Sequence, residues 1–309
     1  MMRRTFVPVC LSRVLAESPK RRASKFESVN EDWALATVQE GMLSLRPFGK
    51  DRIWVPFPKS PFEGKFRVTQ HWAYDSSAVA LLSNGPGARN TEELWVVSPQ
   101  GRELWRSDSV PKGISSELAV SSGGRYVVGY TRKVDKSITV HLMTSDGVTV
   151  GPNLGISGEA SSSLTWIPRT STLGLSIGDM VCSLDPLSGE LIDIRPGQDP
   201  RWSWQGTKIA FISPATERLE VCATAELDRV IFRSQRRVLS HPSALWSPDE
   251  RFVVCNEVPG KGNYRTSAVC LYRIGDGKRI VLWNNAGVHL QSSVGWVENW
   301  RQLVPEIPK

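Results

Sequence analysis

Two stretches share one plan: Arg201-Trp202-Ser203-Trp204-Gln205-Gly206-Thr207-Lys208-Ile209-Ala210-Phe211 and Leu245-Trp246-Ser247-Pro248-Asp249-Glu250-Arg251-Phe252-Val253-Val254. In each, an anchor tryptophan ends a short strand and a tight turn follows. A run that is apolar on nearly every residue comes next, as expected of a strand covered on both faces. The turn residues fit their task, because Asp bonds its own backbone and Gly tolerates positive φ.

Working outward, an apolar residue again stands seven places after the anchor in Trp72 with Val79, Val120 with Val127, Trp166 with Leu173 and Trp296 with Leu303. Successive anchors are 48, 46, 36, 44 and 50 residues apart. A weaker copy places Ser28 before Leu35. Third and fourth strands are expected at Leu94–Ser98 and Glu103–Arg106, Thr139–Met143 and Val148–Val150, Met180–Leu184 and Leu191–Ile194, and Ala268–Arg273 and Arg279–Trp283. Gly-containing turns such as Ser145-Asp146-Gly147 and Gly275-Asp276-Gly277 separate the members of each pair, a strong hairpin signal. A repeat of about this length with four strands is a propeller blade. No long amphipathic pattern interrupts it, so the expected fold is an all-β propeller of four-stranded blades. Seven blades are preferred, with Thr5–Cys10 and Arg13–Leu15 completing the sheet that Trp296–Val304 begins; six close if those residues hang free.

Pro200-Arg201-Trp202-Ser203, Gly206 and Ile209-Ala210-Phe211, together with Trp246-Ser247-Pro248-Asp249, resemble the repeat of TolB-like propellers, within the WD-repeat-like group. The resemblance runs from about Ser28 to Leu303, is full in two blades and partial elsewhere, and lacks true WD dipeptides. It implies a torus whose channel is walled by first strands. It implies no reaction, since one fold hosts many functions.

Composition narrows little further. Residues 28–309 read as a single propeller domain and 1–27 as a basic arm. Arg3, Arg4, Arg13, Lys20, Arg21, Arg22 and Lys25 against Glu17 alone supply six of the seven net positive charges. That arm offers a nonspecific route to nucleic acid, though a solvated tail explains it as well. No apolar run approaches the roughly 18 residues of a membrane helix. Cys10, Cys182, Cys222, Cys255 and Cys270 have no close-spaced pairing and read as reduced thiols. The cytoplasm is therefore the expected location, with an organelle as the alternative if the Arg-rich start is a transit peptide. The TolB resemblance by itself would imply the periplasm.

Searches for chemistry return few candidates. There is no Gly-x-Ser-x-Gly elbow, no phosphate-binding glycine loop and no local Cys/His zinc pair. No catalytic residue, metal set or cofactor is assigned. His71, His241 and His289 each enter on or just before a first strand, where they could meet a metal or anionic ligand at the channel; their offsets of one, five and seven from the anchors set them at different heights, and ordinary surface or hydrogen-bonded histidines are the plainer reading. Asp75 and Asp249 occupy the hairpin-turn slot three places after their anchors, which a turn role accounts for. Trp54 hints at an exposed apolar contact, with a core strand as the plainer reading. The expected function is a non-catalytic scaffold holding a protein or peptide on one face through Arg195, Asp199, Arg201, His241 and His289. Alternatives are an enzyme acting on a small molecule or glycan in the channel, and a subunit of an RNA-protein assembly.

Overall fold

The computed structural model describes residues 29–39, 42–48, 53–56, 68–84, 92–114, 117–132, 137–154, 164–238, 245–258, 268–284 and 295–303. The arm of residues 1–27, the expected strand Thr5–Cys10, His241, His289 and the side chain of Trp54 lie outside them.

The first strands among the described residues are β1 (Ala34–Gln39), β2 (Met42–Pro47) and β3 (Ile53–Pro56). Five complete blades follow. Blade 1 is β4 (Val68–Trp72), β5 (Val79–Asn84), β6 (Glu92–Val97) and β7 (Glu103–Ser107). Blade 2 is β8 (Ala119–Val120), β9 (Val127–Arg132), β10 (Ile138–Thr144) and β11 (Gly147–Leu154). Blade 3 is β12 (Thr165–Trp166), β13 (Leu173–Ile177), β14 (Met180–Leu184) and β15 (Leu191–Pro196). Blade 4 is β16 (Gln198–Trp202), β17 (Lys208–Ile212), β18 (Arg218–Ala223) and β19 (Glu226–Arg237). Blade 5 is β20 (Leu245–Trp246), β21 (Phe252–Glu257), β22 (Ala268–Arg273) and β23 (Arg279–Asn284). Finally β24 (Gly295–Val297) pairs antiparallel with β1, giving a sheet in the order β24-β1-β2-β3.

The described residues thus form six four-stranded sheets, and six is the blade number of the two the sequence allowed. The register gives the reason. In five blades the anchor faces the residue seven places on: Trp72 with Val79, Val120 with Val127, Trp166 with Leu173, Trp202 with Ile209 and Trp246 with Val253. In the sixth, Trp296 faces Leu35. The weak first copy and the last copy are halves of one blade rather than two blades. Leu303, expected in a second strand, lies in a 3₁₀ turn (Trp300–Leu303).

Between blades the anchors act as staples. The indole N–H of Trp166 donates to the Ala119 carbonyl (3.2 Å), that of Trp246 to Arg201 (2.9 Å) and that of Trp296 to Leu245 (3.4 Å). Each acceptor stands one residue before an anchor. Trp202 and Trp72 instead lie flat over glycines: a Cβ on Gly174 would meet the Trp202 ring at 1.9 Å, and one on Gly295 the Trp72 ring at 2.4 Å. The short 36-residue step to blade 4 arises because only Gly197 separates β15 from β16. At φ 159° it packs so tightly against Phe211 that a side chain would collide at 2.7 Å.

Candidate functional site

Of the five residues singled out from sequence, three are described, and they fall in two places. Arg195 is on β15, the outermost strand of blade 3. Its guanidinium donates to the Leu227 carbonyl and to Cys222 Sγ (2.6 Å) and stacks 3.9 Å from the Phe211 ring centroid. Its charge faces into blade 4. Arg195 is thus an interblade clasp at the rim. Burial pushes the Cys222 thiol up, with Arg195 opposing.

Asp199 and Arg201 share β16, the innermost strand of blade 4. Asp199 is 1% exposed at φ 49°, and its N–H donates to Ser176 Oγ of blade 3 at 3.1 Å. Arg201 donates to the Leu164 carbonyl at 3.1 Å. Burial lowers its pKa, while the carboxylates of Glu117 and Asp199 raise it. The structure therefore gathers Asp199, Arg201 and Glu117 near the inner strands and leaves Arg195 apart. Among the aligned histidines, His71 is described: it is buried on β4 and its Nδ1 accepts the Leu118 N–H at 3.3 Å, tying blade 1 to blade 2.

The turns between first and second strands crowd one face. Asp249 Oδ1 accepts from Ser247 Oγ (2.7 Å) and the Arg251 N–H (3.0 Å), as a turn residue does. Asp75 accepts from Ser77 N–H (3.1 Å) and Ser77 Oγ (2.6 Å), and also from Ser122 Oγ of blade 2. Glu250, at φ 56° and 6% exposed, reaches into blade 4, accepting from the Gln205 N–H, Thr207 Oγ1 and Lys208 Nζ (3.3 Å). Burial alone would raise its pKa. The hydrogen bonds from Thr207, Ser203 and Gln205, with the Lys208 charge, outweigh that and lower it.

Two aromatics sit two places after their anchors on this face and each spans a neighbouring blade. Trp204 of blade 4 donates its indole N–H to the Trp246 carbonyl of blade 5 at 3.2 Å and packs against a cluster shared by Phe252, Val254, Val269 and Leu271 of blade 5 and Trp33, Leu35 and Trp296 of blade 6. Tyr74 of blade 1 bonds Ser122 of blade 2 and packs against a cluster that joins Ala119, Val128 and Tyr130 of blade 2 to Trp166 and Leu173 of blade 3. Burial and Asp75 push its phenol up.

Beside Trp204 opens a cup of about 160 Å³, walled by Asp75, Ser76, Trp204, Trp296, Glu298 and Asn299, with Pro99, Gln100, Val297 and Gln302 completing the lining. Blades 1, 4 and 6 all contribute. Trp296 is braced from behind by Phe48, stacked at 5.1 Å, and by Trp33 edge-on at 5.7 Å. In the sequence Trp296 reads as an anchor and Asp75 as a turn residue. Each reading is locally right, but the repeat gives no sign that three blades pool these residues.

A second charged group is internal. Glu257, its side chain 1% exposed, accepts from Arg279 Nε (2.8 Å), Cys270 Sγ (3.1 Å) and the Tyr272 hydroxyl. Tyr272 in turn accepts the Gln235 N–H of blade 4 at 3.1 Å. Burial and the Glu257 carboxylate push the Cys270 thiol and the Tyr272 phenol up. This network closes the seam between blades 4 and 5. Among the described residues no group of three or more His, Cys, Asp or Glu is placed to hold a metal ion. No helix among them is long and apolar enough to cross a membrane.

Six four-stranded sheets, each with its first strand innermost, make the molecule a TolB-like β-propeller. Among solved structures it resembles TolB from Acinetobacter baumannii, with a TM-score of 0.56 at 13% identity over 85% of this chain and 66% of that one, just under two thirds of its length. A chain of a nidogen/laminin complex gives 0.54 at 12% identity, covering 85% and 97%. Oligogalacturonate lyase in complex with manganese gives 0.53 at 10%, covering 79% and 70%. At such identities the likeness is one of fold. No protein-family model matches the sequence, and no curated protein does.

Proposed function

We propose that the protein is a non-catalytic propeller that holds a protein or peptide segment across the turn face of the torus. The observation that carries this reading is the cup to which blades 1, 4 and 6 contribute. Small-molecule sites typically enclose about 300–1,000 Å³. A cavity of about 160 Å³ with an aromatic wall and a polar rim suits one side chain projecting from a larger partner. That a similar fold occurs in a nidogen/laminin complex is consistent with such use. The test is recovery of partner from extract by the tagged protein and two variants. Trp204→Leu should lose the partner, whereas Asp199→Asn with Arg201→Met, His241→Ala and His289→Ala examines the inner-strand set. Loss only in the second variant would move the site to that set. Arg195 is left out because removing it loosens the ring.

An enzyme acting on a small molecule or glycan is the second reading, favoured by the charged group of Arg201, Glu117 and Asp199 at the inner strands and by the fold shared with a manganese-bound lyase. Stoichiometric metal in the purified protein, lost on His241→Ala or His289→Ala, would establish it. Nucleic-acid binding through the arm is tested by deleting Met1–Lys25 and comparing RNA retention. A cytoplasmic location is supported by Cys182, Cys222, Cys255 and Cys270, all buried free thiols, and is tested by fractionation.

A further inference from the structure

We propose that the outer edge of blade 4 is a docking surface for an acidic, extended peptide segment of a partner, gripped by Arg218, Arg233, Arg236 and Arg237. None of these residues lines the cup, so the surface stands apart from the reading above. The outermost strand there, β19, has twelve residues, against four to eight in the outermost strands of the other blades. Its partner β18 has six, and bulges take up the excess. Arg218 pairs with Arg237 and Glu220 with Arg233, so a step of two residues on β18 meets a step of four on β19.

Side chains hold that bulge in place. Ser234 is buried, and its Oγ accepts the Leu219 N–H at 3.1 Å and donates to the Arg236 carbonyl at 2.6 Å. The Gln235 N–H donates to the Tyr272 hydroxyl of blade 5 at 3.1 Å. These bonds replace the lost ladder and leave Arg236 exposed. Bulges at sheet edges re-aim side chains in this way.

The surrounding charges select the occupant. Arg233 is held by Glu220 at 2.8 Å and Arg237 by Glu217, yet the two arginine side chains stay 50% and 44% exposed. Arg218 and Arg236 are exposed, with no hydrogen-bond or ion-pair partner among the described residues. The other acids of β19, Glu226 and Asp228, stand at its opposite end, where Glu226 pairs with Arg229. Arg218 also lies directly opposite Arg237, a like-charge pair that disfavours the sheet until an anion joins them. Each guanidinium offers a planar fork of donors that fits a carboxylate. A nucleic acid fits less well. Single strands stack their bases on aromatic side chains, and Phe232, the aromatic of this strand, is buried in the cluster between blades 4 and 5. Ile231, two residues from Arg233 and 39% exposed, offers a peptide an apolar contact.

Fluorescence anisotropy on the full-length protein tests this with a short labelled peptide of alternating glutamate and valine. Saturable binding is expected, absent with the lysine and valine counterpart and weaker with a labelled oligothymidylate. Arg218→Gln with Arg236→Gln should weaken binding of the acidic peptide about threefold to tenfold. Lys112→Gln with Arg125→Gln removes the same charge elsewhere and should leave the affinity unchanged. All four residues are exposed, so neither double variant threatens folding. No saturable binding of the acidic peptide, tighter binding of the oligonucleotide, or equal weakening by the two double variants would overturn the proposal. Trp204→Leu should leave this affinity unchanged; a loss there would move the peptide to the cup and sink the rim site while sparing the binding function.

Discussion

Leu35 and Trp296 face each other across β1 and β24, and Leu35 there takes the place that the residue seven positions after the anchor takes in every other blade. The ring is closed by three residue pairs: Ala34 with Val297, Leu35 with Trp296 and Ala36 with Gly295. Leu35 is 3% exposed, so Leu35→Ala should cost about 2–5 kcal/mol. Chemical denaturation should show a lower midpoint. An unchanged midpoint would mean that the closing pair contributes little to holding the torus.

Gly174 is required by its neighbour rather than by its own backbone. An alanine methyl would fall within 1.9 Å of the Trp202 ring. Gly174→Ala should destabilise by about 1–3 kcal/mol through overpacking. Combining it with Trp202→Leu should recover part of that loss, because the two changes relieve one clash. Strict additivity in calorimetry would show that the indole does not rest on Gly174.

Glu250 should confer a pH dependence. Its folded pKa is lowered from 4.5, so its carboxylate stabilises the protein above that value, and the stabilisation fades as pH falls through the lower folded value. At neutral pH, Glu250→Gln should lose about 1–3 kcal/mol from the charge-assisted bonds to Gln205, Thr207 and Lys208. The gap between wild type and variant should narrow in urea titrations as acid is added. A constant gap would place the carboxylate outside the interblade contact.

Removing one partner of the Glu257–Arg279 pair should be costly. Arg279 is 17% exposed at its side chain, and Glu257→Ala would strand it beside Cys270 and Tyr272. About 3–5 kcal/mol is expected for such a loss. Tyr272→Phe should cost less, about 0.5–1.5 kcal/mol for one hydrogen bond. The reverse order would show that the phenol, not the ion pair, holds blades 4 and 5 together.

Local chemistry made the blades legible. Met180–Leu184 and Ala268–Arg273 stand where period-two patterning and Gly turns put them, and Glu103–Arg106 needs only one more residue. Closure was not legible. Leu35 and Trp296 belong to one repeat that the chain cuts in two, and no local spacing joins them. The seams were hidden for a related reason. Arg195 reaching Leu227, Glu250 reaching Thr207 and Glu257 reaching Tyr272 are partnerships across or within sheets, independent of the repeat period. Asp199 and Arg201 read from sequence as residues of a connection between blades, whereas both stand on β16, because the single residue Gly197 is all that links it to β15. The cup was missed because its walls come from blades 1, 4 and 6.

Trp204 ties blade 4 to blade 5 and Tyr74 ties blade 1 to blade 2, each through one hydrogen bond. One boundary, at Gly197, has almost no slack and is riveted by Arg195. At the opposite boundary the Trp72 indole N–H has no hydrogen-bond partner among the described residues, unlike those of Trp166, Trp246 and Trp296. Blades 1 and 6, which meet at this seam, both line the cup. A guest wedged there would caulk the ring as well as occupy it, so tight binding should register as a rise in melting temperature.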